Sequence, residues 1–201
     1  MLTFQEAEDY FGVSRMQRYL SYTNGDQTKA VELYLWNSRV AASYWPDIES
    51  VEILIRNRIA RELFPDGWIT ETALASFTTG KYSVGPVPRR ISDQSFGFWT
   101  YLLSTENQNS IWNVKVHKQF SPGVARKKLF RDLKYIQSLR NGIGHHASLV
   151  GHDFAYTQMV FNRIFQAVSD SAGSWLLDHI KYRDELLNAN PMFGVSSRAT
   201  K

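Results

Sequence analysis

The chain contains no cysteine, and this absence excludes several kinds of chemistry. Without thiols there is no disulfide framework, no thiolate nucleophile and no Cys-ligated zinc site. No run approaches the roughly 18 consecutive apolar residues of a membrane span. The first residues are acidic where a signal peptide is basic, and they lack an apolar segment. We therefore expect a soluble protein of the reducing cytoplasm.

Several functional motifs are missing as well. There is no G-x-S-x-G segment, which argues against a Ser–His hydrolase, and no glycine-rich phosphate loop of the nucleotide-binding kinds. A metal site built from His145, His146 and His152 is a poor alternative, because Asp153 is the only acid close to them. We expect neither a metal nor a cofactor.

Helical periodicity dominates what is present. The 201 residues are 43% hydrophobic and 14% aromatic, which favours a folded core over disorder. Apolar residues recur at helical spacing, and no alternating run has strand length. The pattern predicts an all-α antiparallel bundle with additional short helices. We expect a single domain over residues 1–190 and a flexible tail over 191–201.

The predicted helices and their caps follow from turn residues and apolar stripes. They cover residues 4–10, 14–22 with Ser14 as N-cap, 28–44 with Asp26 as cap, 46–64, 69–77, a short aromatic helix after Ser92 or Asp93, 107–120, 124–140, 153–169 and 175–187.

Positive charge is concentrated in one segment. The net charge is +4, but Lys115 to Arg140 carries +7 and the rest of the chain −3. Lys127, Arg131 and Lys134 follow one side of the predicted helix there. This distribution favours an anionic polymer such as RNA as a partner. The simpler alternative is a solvated helix face.

The segment Arg140-Asn141-Gly142-Ile143-Gly144-His145-His146 directly follows that basic region. Arg140 continues the apolar stripe of its helix, so we expect it to meet an anion, a carboxylate or a carbonyl at the edge of the core. On a straight helix positions 140 and 145 are about 140° apart. We expect Gly142 or Gly144 to adopt the left-handed conformation and end the helix, so that an imidazole can turn back towards the guanidinium.

An arginine and a histidine that meet at one point suit phosphodiester cleavage. The arginine fork stabilises the extra negative charge on phosphorus. Histidine titrates near neutral pH, so it can take a proton from the 2′-hydroxyl of RNA or give one to the leaving oxygen. No metal is required, and the products carry a 2′,3′-cyclic phosphate and a 5′-hydroxyl. Either His145 or His146 can serve, and a purely structural ion pair of Arg140 is the alternative.

The helix predicted over 46–64 carries polar residues near its apolar face. Glu52 lies one turn before Arg56, at the spacing of an i, i+4 ion pair, and Asn57 follows. Because Glu52 lies at the edge of the apolar face, its charge needs a partner or faces a site.

Four motifs occur in order along the chain: Tyr34-Leu35-Trp36-Asn37, the segment from Glu52 to Arg56-Asn57, Phe96-Gly97-Phe98-Trp99, and the segment from Arg140 to His146. Together they resemble the Abi-like (abortive-infection) branch of the HEPN superfamily. The resemblance extends from about Ser14 to His146. The chain departs from the family in two respects, both at one position: Ala147 stands where relatives often carry Glu, and where AMPylated relatives carry Tyr.

The resemblance implies a HEPN-type helical bundle and a metal-independent endoribonuclease that acts as a toxin or anti-phage effector. It also implies a homodimer whose two motifs share one cleft, and restraint by a protein or RNA antitoxin. His145 is then the general acid or base, Arg140 binds the phosphate, and Asn141 orients. Glu52, Arg56 and Asn57 support the site. Two alternatives remain, a non-catalytic RNA-binding or adaptor module and a purely structural bundle.

Overall fold

The computed structural model describes residues 2–77, 82–169, 171 and 182–193. The chain divides into two units, each of which draws on separate stretches of sequence. Unit 1 comprises Met1–Trp45, Ile143–His152 and Leu177–Lys201, and unit 2 comprises Pro46–Gly142 and Asp153–Leu176.

Unit 1 begins with three helices, α1 (Phe4–Phe11), α2 (Val13–Tyr22) and α3 (Gln27–Ser43). Thr3 and Glu6 form a reciprocal capping box at the start of α1. Gly12 joins α1 to α2 with φ 94°, a conformation that glycine adopts without strain. The predicted Ser14 cap is wrong, because α2 begins at Val13 and Gly12 occupies the cap position. Asp26 caps α3 as predicted.

Aromatic and small side chains fill the core of unit 1. Tyr19 and Met16 of α2 are buried with Leu33 and Val40 of α3. A late part of the chain packs here too, because the indole nitrogen of Trp36 donates to the carbonyl of Leu186 at 2.8 Å. Residues 182–188 are helical, and Pro191–Phe193 form a 3₁₀ turn.

Unit 2 contains the remaining helices. They are α4 (Trp45–Leu63), whose first residue belongs to unit 1, α5 (Glu71–Ala75), α6 (Phe96–Leu102), α7 (Arg126–Gly144), whose last two residues belong to unit 1, and α8 (Phe154–Val168). Shorter elements are the strands β1 (Trp68–Ile69) and β2 (Arg89–Arg90), which pair antiparallel, the 3₁₀ turns Ile91–Asp93 and Val116–Gln119, and a π turn at Gln108–Trp112.

Three local predictions in unit 2 need correction. Ser95 caps α6, not Ser92 or Asp93, because its hydroxyl accepts from the amide of Phe98. The helix predicted over 107–120 is replaced by the π turn and a 3₁₀ turn. The helix predicted over 69–77 shrinks to α5, because Trp68 and Ile69 pair with β2 instead.

Helix α7 is fixed within unit 2 by polar as well as apolar contacts. Its buried face carries Leu129, Leu133, Ile136 and Leu139. Asp132, also on this helix, accepts two hydrogen bonds from Arg163 of α8, at 2.8 and 2.6 Å. A Cβ at Gly97 would lie 2.8 Å from the side-chain nitrogen of Gln137, so a larger residue at position 97 would require the Gln137 amide to move.

The predicted all-α class is confirmed, since the only described strands are two residues long. Within the described residues, none of the helices combines the length and the apolar character that a bilayer crossing demands. Much of the helix predicted over 175–187 lies outside the described residues. So does most of the predicted tail, of which only 191–193 are described.

Candidate active site

Arg140 is on the apolar side of α7 by register, but its side chain is not buried. At about 100° per residue it lies only about 20° from buried Leu133 around the helix axis. It is two turns nearer the C-terminal end, however, and its side chain is 46% exposed. The long side chain can therefore leave the apolar face and reach a polar partner.

Glu52 of α4 is that partner, as the sequence required of an arginine in this register. Its Oε1 lies 3.3 Å from Nε of Arg140, and the Glu52 side chain is 28% exposed. One Nη of Arg140 also donates to Oδ1 of Asn141 at 3.4 Å. The other Nη has no partner among the described residues. Two sides of the guanidinium are thus fixed, while part of its fork stays available to an anion.

Partial burial determines how Glu52 titrates. Burial raises the pKa of the Glu52 carboxyl above its ordinary value, and Arg140 opposes that rise only in part. The carboxylate therefore sits in a less favourable environment than water, despite its cation.

Glu52 does not pair with Arg56 within the described residues, contrary to the prediction from their spacing. Nε of Arg56 instead donates to Oδ1 of Asn57 at 3.0 Å. An exposed i, i+4 pair contributes only a few tenths of a kcal/mol, so a better-placed partner elsewhere can displace it. Of the three residues predicted to support the site, Glu52 alone contacts Arg140 in the described chain.

Neither glycine adopts the left-handed conformation, which corrects the second prediction for this segment. Gly142 lies inside α7, and Gly144 is its last helical residue. The left-handed residue is His146, with φ 57°. Its amide donates to the carbonyl of Ile143 at 3.0 Å. A non-glycine residue in this conformation is disfavoured by roughly 1–2 kcal/mol, so other contacts must stabilise it.

Hydrogen bonds within unit 1 supply that stabilisation. Arg15 of α2 donates to the carbonyl of His146 at 2.8 Å. The amide of Leu149 donates to Oδ1 of buried Asn37 at 2.6 Å. The segment after α7 is therefore attached to α2 by one hydrogen bond and to α3 by another.

His145 and His146 line a concave cavity of 380 Å³ in unit 1. Both side chains are exposed, and neither imidazole has a hydrogen-bond or ion-pair partner among the described residues. Arg15 and Arg18 of α2 line the same cavity. Neither arginine was predicted from the sequence. Their i, i+3 spacing on a helical face was the one available signal.

The predicted basic stripe is exposed along α7. Lys127, Arg131 and Lys134 all face solvent. Lys127, Lys134 and Asn141 follow one another at intervals of seven residues. Each is therefore rotated by only about 20° from the one before it around the helix axis, and the three lie on nearly the same side. The stripe thus follows the outer face of unit 2 down to Asn141. Arg126 does not belong to it, because it is buried and donates to the carbonyl of Leu103.

The described residues offer few groups of side chains that could bind a metal ion. In the described ranges, no three His, Asp or Glu side chains gather closely enough to hold a metal ion.

The chain was also compared with protein-family models, with curated proteins and with solved structures, and none of the three comparisons found a match.

The raised pKa of Glu52 predicts a pH-dependent effect of Glu52→Gln. A carboxyl whose pKa is raised by folding contributes most to stability when protonated, and loses that contribution as pH rises through its folded pKa. Glutamine cannot ionise. The stability of the variant relative to the parent should therefore increase as pH rises from below about 4.3 towards neutrality. Urea unfolding across this range measures it, with exposed Glu106→Gln as the charge-matched control. A relative decrease would mean that the ion pair with Arg140 outweighs the burial.

The left-handed conformation of His146 predicts which substitutions this position tolerates. Asn accepts this conformation, whereas a β-branched residue does not. His146→Asn should be nearly as stable as the parent, and His146→Val should unfold with about 1–2 kcal/mol less free energy. The same two substitutions at His145, whose φ is negative, provide the matched control and should differ much less. Equal stability of Asn and Val at position 146 would contradict the geometry.

Proposed function

We propose that the chain is a metal-independent endoribonuclease of the HEPN type, which cleaves RNA by attack of the 2′-hydroxyl. The observation that carries the proposal is the state of Arg140. It is fixed by Glu52 and Asn141 yet retains a free edge, and it precedes His145 by five residues along the chain. The resemblance to the HEPN family gives further support, because the spacing from Arg140 to His145 and the order of the other motifs are similar to those of that family.

Arg140 is proposed to bind the scissile phosphate and to stabilise the charge that develops on it. A guanidinium cannot lose its proton, and its planar fork matches two phosphate oxygens. The contacts to Glu52 and Asn141 reduce the number of conformations that substrate binding has to suppress. Asn141 is thus assigned an orienting role, and Glu52 a positioning one.

His145 is proposed as the general acid or base, with His146 as the second candidate. Both imidazoles line a cavity open to solvent, which substrate binding requires. They differ in how the main chain fixes them. His146 is left-handed and its carbonyl accepts from Arg15, whereas His145 directly follows the last residue of α7.

The RNA partner is supported by the exposed stripe of Lys127, Arg131 and Lys134. Such a stripe attracts a polyanion and contacts its phosphates without regard to sequence. A homodimer with a composite cleft, a role as a toxin or anti-phage effector, and a protein or RNA antitoxin are proposed on the resemblance alone.

The same stripe favours a second candidate, a non-catalytic RNA-binding or adaptor module. In that case substitution of the three basic residues weakens RNA binding and flattens its salt dependence, while incubation with RNA yields no cleavage product.

The endoribonuclease proposal predicts the effects of substitutions in the motif. His145→Ala should lower the rate of RNA cleavage about 100-fold or more, because proton transfer is lost. Arg140→Ala should lower it by a similar factor. Arg140→Lys should recover little, because lysine keeps the charge but lacks the fork. Cleavage of labelled RNA with purified protein measures these rates, and EDTA should leave the parent rate unchanged.

Two controls sharpen this experiment. Arg61→Ala removes an exposed arginine of α4 and should cleave like the parent. His146→Asn removes the second imidazole while keeping a residue that tolerates the left-handed conformation, so its rate decides between the two histidines. Full activity of an Arg140→Ala, His145→Ala double variant would refute the proposal.

A further inference from the structure

The cavity in unit 1 has the electrostatic character of an anion-binding site. Its lining contains two arginines, Arg15 and Arg18, two histidines, His145 and His146, and no acidic residue. At 380 Å³ it falls within the size range of small-ligand sites. A surface concavity lined by one sign of charge concentrates ions of the opposite sign.

The two arginines have different roles in this cavity. Arg15 donates to the carbonyl of His146, so it is already engaged in fixing the main chain. Arg18 lies one turn later on the same face of α2, and its guanidinium has no hydrogen-bond or ion-pair partner among the described residues. A guanidinium with no protein partner at the edge of such a cavity is available to bind a phosphate.

An aromatic wall accompanies these cations. Phe11 is 38% exposed, and its ring packs 4.7 Å from that of Tyr34, which restricts its orientation. Phe11 and Arg18 thus offer an apolar ring and a free cation to the same cavity. Single-stranded nucleic acids are recognised by this combination, in which a base stacks on a ring and a cation contacts the backbone.

We infer that the cavity binds one nucleotide of single-stranded RNA beside His145, with its phosphate on Arg18 and its base against Phe11. This inference rests on the proposed ribonuclease function and deepens it, because it names Arg18 and Phe11 as substrate-binding residues. It also explains why Arg15 and Arg18 converge on the histidine segment although α2 lies more than 120 residues earlier in the sequence.

The test measures binding separately from cleavage. A fluorescein-labelled single-stranded 2′-O-methyl oligouridine has no free 2′-hydroxyl at its linkages, so it binds without reacting. Its Kd is measured by fluorescence anisotropy over a range of salt concentrations. Arg18→Ala should raise the Kd about tenfold and reduce the salt slope by about 0.7, as expected for one lost contact to a single strand. Arg18→Lys should recover part of the affinity.

Matched variants and competitors complete the design. Arg39→Ala removes an exposed arginine of unit 1 that does not line the cavity, and its Kd should stay within twofold of the parent's. Phe11→Leu should raise the Kd about tenfold through lost stacking. Uridine monophosphate should compete more strongly than inorganic phosphate. Equal competition by the two would overturn the nucleotide assignment, and an unchanged Kd for Arg18→Ala would overturn the inference as a whole.

Parallel cleavage of unmodified RNA separates this inference from the proposed function. If Arg140→Ala abolishes cleavage while Arg18→Ala binds and cleaves like the parent, the ribonuclease stands and the subsite is refuted. If the parent does not cleave RNA but Arg18→Ala still weakens binding, the subsite stands as part of an RNA-binding module and the ribonuclease is refuted.

Discussion

The hydrogen bond from Arg15 to the carbonyl of His146 is the constraint on which the candidate site depends most. It joins residues 131 positions apart and stabilises a left-handed histidine that the chain would otherwise disfavour. That conformation turns the main chain at the end of α7. The hydrogen bond from the amide of Leu149 to Asn37 follows three residues later. Both imidazoles, and the basic cavity that they line, are positioned by this attachment.

A second constraint acts on Arg140 within unit 2. Glu52 stabilises the guanidinium in one orientation, although its own charge is disfavoured by partial burial. The negative charge of Glu52 is only partly balanced by Arg140. Glu52 therefore attracts the guanidinium of Arg140 but does not occupy all of its N–H donors. In the proposed reaction this makes Arg140 ready for a phosphate, because the side chain is ordered before substrate binds and still has N–H groups to donate.

Sequence patterns predicted the features that depend on local periodicity. The helical class, most helix positions, the Asp26 cap and the exposed stripe of Lys127, Arg131 and Lys134 all follow from spacing along the chain. The two errors in the candidate site arose where the surrounding fold outweighed a local preference. The i, i+4 spacing favoured Arg56 for Glu52, but Arg140 of another helix is its partner. Glycine is the preferred left-handed residue, yet Gly142 and Gly144 stay helical around buried Ile143.

The residues of the family-like motifs acquire physical roles in the structure. Asn37, from Tyr34-Leu35-Trp36-Asn37, fixes the segment after His146, and Trp36 of the same motif contacts Leu186. Gly97 leaves room for the side-chain amide of Gln137, which belongs to the helix that carries Arg140. By contrast, Arg15 and Arg18 belong to none of these motifs. Only the cavity in the structure identifies them as candidate binding residues. A pair of arginines at i, i+3 spacing on an exposed helix is common and does not by itself predict a site.

Attack by the 2′-hydroxyl of RNA leaves a chemical record on the products. The most direct measurement is therefore the mass of the fragments formed when purified protein cuts a short synthetic RNA in the presence of EDTA. Cleavage through Arg140 and a histidine predicts a 2′,3′-cyclic phosphate on one fragment and a 5′-hydroxyl on the other. Fragments that carry a 3′-hydroxyl and a 5′-phosphate would contradict it, because such ends require an activated water as the nucleophile.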